Sequence, residues 1–227
     1  LYLCLNGKTF ASNGTNKITV NNGGRLVLCD CAGGGTIRGA TKSWGGSCVY
    51  LYQSTLDIFG GKITGGKVSG NGGGGAIALD DSKCVVDMYG GEISGNNGNK
   101  SGGAIFLNSA DKKGGTVNIY GGTIANNKAQ NGGVIYSSCG GTVNLVGGTI
   151  TGNNATNGDG GVINMAGGTV TISGAKLTGN TSSRYGGAVY LYNGVTATMT
   201  GGEISGNQAA SEGGAVHVYG TSTFNLS

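Results

Sequence analysis

The chain has 227 residues, 52 of them Gly and none Pro, with 11% charged side chains and a net charge of +4. Glycine at that level without a Gly-X-Y period excludes collagen. A 37% hydrophobic fraction recurring at regular spacing argues against a flexible linker, and the unclustered lysines and arginines give no nucleic-acid patch.

Taken from the start, the chain opens Leu1-Tyr-Leu-Cys rather than with Met, and reads as a processed product or a piece of a longer β-helix. From there one pattern repeats: three short runs of alternating apolar and polar residues, separated by glycine pairs. The central apolar residue of the first run gives the column Phe10, Ile37, Ile63, Ile93, Ile124, Ile150, Leu177, Ile204, with spacings of 27, 26, 30, 31, 26, 27 and 27. Such a period is the mark of a solenoid. The longer turns carry visible insertions, as at residues 109–114.

The second run follows a Gly-Gly pair. Its inward residues are Ile77/Leu79, Ile105/Leu107, Ile163/Met165, Val189/Leu191 and Val216/Val218, with Ile135/Ser137 a weaker member. The third run gives Leu56/Ile58, Val86/Met88, Val117/Ile119, Val143/Leu145, Val170/Ile172, Ala197/Met199 and Phe224/Leu226. Alternation at period two buries one face of each run and wets the other. No segment has helical periodicity, and no run is long enough for a membrane-spanning helix.

A unit of this length cannot bury three short faces by itself. Stacking turns gives every strand a parallel neighbour about 4.8 Å away and a continuous apolar cylinder. The expected fold is all-β: a single right-handed parallel β-helix domain over residues 1–227, about eight three-strand rungs and on the order of 40 Å long at that strand spacing. Glycine pairs supply positive φ at the corners. Pro is absent because it would remove a ladder donor. A second column, Asn13, Asn96, Asn127, Asn153, Asn180 and Asn207, falls three residues after the apolar marker. It reads as a corner ladder of amides that bond backbone and each other.

The motifs Gly-Gly-Ala-Ile (residues 74–77 and 102–105, with Val variants at 186–189 and 213–216) and (Phe/Ile)-x-x-Asn (residues 10–13 and five Ile/Leu versions) resemble the repeats of chlamydial polymorphic outer-membrane proteins. They are also similar to the Gly-Asn-rich repeats of adhesin-like surface proteins from gut bacteria and archaea. The resemblance covers the whole chain. It implies a parallel β-helix at the cell surface or outside the cell and an adhesive role, and it transfers no catalytic residue.

Three features could carry chemistry. Outward aromatic columns are the most distinctive: Phe59, Tyr89 and Tyr120 in the third run, and Phe106, Tyr136, Tyr190 and His217 in the second, interrupted by Asn164. Exposed aromatic rows form platforms for a glycan or a host or cell-surface protein; they also stabilise neighbouring strands by stacking. Asp57 and Asp87 occupy the same polar position in successive turns, the carboxylate pair that a polysaccharide-active glycosidase or lyase would need. The column continues Asn118, Asn144, Thr171, Thr198, Asn225, which reads as a wet strand face. The cysteines are Cys4, Cys29, Cys31, Cys48, Cys84 and Cys139. Counting back from Phe10 and Ile37 sets Cys4 beside Cys31, whereas matching Leu1/Leu3 to Leu26/Leu28 sets it beside Cys29; either allows one bridge. Cys29-Asp-Cys31 lacks a matching pair for a tetrahedral metal, and the single His217 has no partner for a zinc site or triad. No cofactor and no metal are implied. An ice-binding surface needs a flat Thr array, and only Thr149/Thr151 supplies it. The two ends share nearly the same phase of the repeat, so copies could also stack head to tail into a filament.

Overall fold

The computed structural model describes residues 1–11, 18–39, 41–42, 47–70 and 72–227, with backbone alone for Thr41 and Lys42. Asn13 and the end of its motif lie outside the described residues. Every paired strand is parallel, and no helix occurs among the described residues. The chain is a parallel β-solenoid of about eight turns.

The three expected runs form three long sheets. First-run strands pair in the order Phe10, Ile37, Ile63, Ile93, Ile124, Ile150, Leu177, Ile204, in register throughout. The second-run sheet pairs Ile77 with Ile105, Ile135, Ile163, Val189 and Val216, and extends N-terminally through Val49/Leu51 and Ile18/Val20. The third-run sheet, nine strands, runs from Tyr2–Cys4 to Thr223–Leu226. Inward residues of the three sheets merge into one apolar cluster reaching from Leu5 to Ala197.

A fourth sheet revises the three-strand rung. Seven strands, five of them only two residues long, such as Lys67–Val68, Asn154–Ala155 and Thr181–Ser182, stack at the corner just after the Asn column. Five are too short to display alternation, and Asn97–Ser101 and Lys128–Asn131 are made of small and polar residues, so all read as loop from the residue pattern.

The corner itself is built by the amides. Asn96, Asn127, Asn153 and Asn180 are essentially fully buried. Each donates its Nδ2–H to the Oδ1 of the Asn one turn on, at 2.9, 3.1, 2.9 and 2.9 Å, and its backbone N–H to the same oxygen at 2.8–3.0 Å. The ladder starts where Asn96 Oδ1 accepts from the Gly66 N–H, 2.9 Å. Left-handed backbone falls one residue before the column, at Gly65, Gly95, Asn126, Gly152, Gly179 and Gly206, with φ between 54° and 68°. That turn frees the Asn side chain to point along the solenoid axis.

The glycine pair before the second run has two separate requirements. Gly132 holds φ of +61°, and a Cβ on Gly133 would sit 2.2 Å from the Gly161 carbonyl oxygen of the next turn. The first needs freedom of backbone, the second absence of a side chain.

Candidate functional site

Outward residues of the third run form continuous columns. Asp57 and Asp87 are ladder partners, as their spacing predicts, but they are not an open pair. Asp57 is fully buried, and the Arg25 Nε donates to its Oδ2 at 2.5 Å. Asp57 Oδ1 has no hydrogen-bond partner. Asp87 Oδ1 accepts from Asn118 Nδ2 at 2.7 Å, and Asn118 Oδ1 from Asn144 Nδ2 at 2.7 Å. Beyond Asp57 the column is half-exposed, as expected of a wet face, and from Asp87 to Asn144 it is also a hydrogen-bonded ladder; the guanidinium on Asp57 is what the spacing did not give.

The neighbouring column holds Phe59, Tyr89 and Tyr120. Their rings stack at centroid distances of 4.7 and 4.9 Å with interplanar angles of 10° and 6°. Those distances match the strand spacing. The rings are 54%, 44% and 43% exposed, and Tyr89 has a ring on each of its faces. Burial, then the Asp87 charge, raises the Tyr89 phenol.

The second-run column divides at Asn164. Phe106 and Tyr136 stack at 6.0 Å. Asn164, nearly buried, turns its Nδ2 to the Asp159 carbonyl at 3.2 Å and leaves Oδ1 without a partner. Beyond it Tyr190 and His217 are ladder partners, with centroids 5.5 Å apart and planes tilted 35°. Tyr185 joins them, 4.8 Å from His217 and 6.1 Å from Tyr190. Arg184 lies over the Tyr185 ring at 5.0 Å and faces Asp159 Oδ1 at 3.7 Å. His217 Nδ1 is 3.8 Å from Glu212 Oε2. With the exposed Tyr219, these side chains line a cleft of about 400 Å³. Burial, and then the Asp159 charge, raises the Tyr190 phenol. The cleft offers tilted aromatic faces, a guanidinium, a carboxylate and an imidazole, which suits a ligand with both apolar faces and hydroxyls.

Spacing placed Tyr190 and His217 here and missed Arg184, Tyr185 and Glu212. The last two, like Asn131 and Asp159, stand immediately before a glycine pair. They form a column of their own, in which each glycine N–H donates to the carbonyl one turn on. Reading the residue before each Gly-Gly as a column would have found them.

At the N-terminal turns the backbone register pairs Cys4 with Cys29, while the Cys4 and Cys31 sulfurs lie 2.7 Å apart. Both alternatives left by the spacing are met, because the turn after Cys29 is two residues longer than the turn after Cys4 and folds Cys31 back over it. The three sulfurs lie within 4.8 Å of one another. Cys31 N–H donates to Cys4 Sγ at 3.3 Å. Hydrogen bonds from the Cys31 thiol and N–H lower the Cys4 thiol, whereas Cys4 pushes Cys31 up to about 11. Burial, then Cys4, raises Cys29. Asp30 is turned aside: its carboxylate accepts from the Gly7 and Gly35 N–H groups, both at 2.7 Å, which lower its pKa.

No helix among the described residues is long and apolar enough to cross a membrane. Comparison of the chain with protein-family models, with curated proteins and with solved structures finds no match. What defines the protein is its class, a glycine-rich parallel β-solenoid.

Proposed function

We propose that this solenoid is a non-catalytic recognition scaffold, extracellular or at the cell surface, that contacts a glycan or a surface protein through its outward aromatics. The observation that carries the reading is the cleft of Arg184, Tyr185, Tyr190, Glu212, His217 and Tyr219. A pyranose packs its C–H face on an aromatic face. In the Phe59–Tyr89–Tyr120 stack the inner faces are occupied by each other and no charged group among the described residues lines the outer ones, whereas the tilted rings around His217 bring face area and polar partners together. The stack then serves chiefly as a stabilising ladder and as an apolar strip beside the contact.

The enzyme reading would use Asp57 and Asp87. Asp57 is closed to substrate and held by Arg25, which disfavours it; reducing-sugar release from a polysaccharide panel would restore it.

The recognition reading is tested by glycan-array and surface-protein capture, followed by two double variants. Tyr190→Ala with Tyr219→Ala should weaken the captured ligand by roughly thirtyfold, since truncating an anchoring aromatic costs about 2 kcal/mol or more. Tyr89→Ala with Tyr120→Ala should change binding little. Equal retention by both, or no captured ligand at all, overturns the reading.

A further inference from the structure

We propose that Cys4, Cys29 and Cys31 form a binding site for one thiophilic metal ion of the Zn(II)/Cu(I) class. The convergence is specific. Cys29 and Cys31 come from one turn and Cys4 from the turn below, and all three sulfurs fall within 4.8 Å of each other. Two thiolates sharing an ion at about 2.3 Å keep their sulfurs about 3.8–4.0 Å apart in tetrahedral or trigonal geometry. Cys4 and Cys31, at 2.7 Å, are closer than that, and both are exposed, so a small side-chain rotation opens the gap.

The surroundings suit a bound thiolate. The Cys31 N–H already points at Cys4 Sγ, the kind of outer bond that orients a ligand sulfur. Asp30, between the two ligands in sequence, is engaged by Gly7 and Gly35 and stays out of the set. Three thiolates complete a trigonal Cu(I) site; Zn(II) takes water as its fourth ligand on the exposed side. Sequence spacing found no second cysteine pair to close a tetrahedron. The third ligand comes instead from the rung below, brought there by the two-residue longer turn.

A disulfide between Cys4 and Cys31 is the rival, and it makes opposite demands on Cys29. The reduced chain is titrated without oxygen against Zn(II) and against Cu(I), each in competition with a chromophoric chelator, and bound metal is counted by native mass spectrometry. One ion per chain is expected. Cys4→Ser, Cys29→Ser and Cys31→Ser should each lower affinity at least tenfold, while Cys139→Ser leaves it unchanged. In Co(II)-loaded protein the sulfur-to-metal absorption should fall by about one third in each single variant, a readout that does not depend on global stability. Failure of the reduced chain to bind either ion overturns the proposal. So does full affinity in Cys29→Ser together with a two-proton mass loss in the oxidised wild type.

Discussion

Replacing Asn127 by Ala tests the amide ladder where water cannot substitute for it. Asn127 is fully buried. Its Nδ2 donates to the Ile93 carbonyl at 2.9 Å and to Asn153 Oδ1 at 3.1 Å. Its Oδ1 accepts from the Asn96 N–H at 3.0 Å and from Asn96 Nδ2 at 2.9 Å. Alanine removes all four bonds. Asn96 Nδ2 keeps the Ile63 and Ser94 carbonyls, and Asn153 Oδ1 keeps the Asn127 N–H. The Ile93 carbonyl stays within the ladder of the paired strands, so the Asn96 N–H is the buried group left without its partner. A buried polar group left unmatched costs about 1–3 kcal/mol, and with the other lost bonds the expected loss is about 3 kcal/mol. Asn207→Ala at the last, half-open rung removes the same kind of bonds to Asn180 and Leu177, but water reaches the site, and about 1 kcal/mol is expected. Asn127→Leu refills the volume and restores no bond, so it should be no better than Ala. Urea unfolding followed by circular dichroism gives the free energies, and amide exchange locates the loosened turns. An Asn127→Ala loss no larger than that of Asn207→Ala, or recovery by Leu, would refute the reasoning.

Gly133→Ala places a Cβ 2.2 Å from the Gly161 carbonyl oxygen, whereas Gly23→Ala, at φ +78°, meets nothing within 4 Å. The second should cost about 1–2 kcal/mol of backbone strain and the first several-fold more, read from thermal melts; equal shifts would mean the turns can separate freely. Ile150→Asp, at a fully buried position, should cost several kcal/mol, on the order of the penalty for burying an ion. Thr149→Asp, exposed and laddered beside Lys176, should be nearly neutral; comparable losses would show the inward register to be wrong. A carboxyl whose folded pKa is depressed contributes stability above its unfolded pKa and loses it as pH falls through the folded one. Asp30, lowered by the Gly7 and Gly35 N–H groups, behaves this way. Wild type should therefore lose stability below the ordinary carboxylate range more steeply than Asp30→Asn, and parallel pH profiles from urea melts at neutral and acid pH would exclude that role.

The cylinder was legible in the residues because burial imposes period two within each run and a near-constant period between turns. Ile124 and Ile150 could be aligned without any structure, and they are partners. The fourth sheet was not, since two-residue strands such as Asn154–Ala155 leave no alternation to read. Arg25 at Asp57 was missed for another reason: it is a diagonal contact, from the residue paired with Thr55, and column counting sees only direct partners. Tyr190 and His217 came from strand parity, while Tyr185 and Glu212 lie in the turn, where parity has no meaning.

In a repeat, what recurs is held by its own neighbours, and so has little left to offer a ligand. The Asn ladder satisfies itself from Asn96 to Asn207. The three rings from Phe59 to Tyr120 cover each other's inner faces. Open chemistry gathers where a column breaks. Asn164 interrupts the second-run aromatics; beyond it His217 tilts against Tyr185 and Tyr190, and the cleft lies there. The turn after Cys29 outgrows the one below it by two residues, and there three sulfurs meet instead of two. Departures from the period, more than the period itself, mark where this solenoid can act on something other than itself.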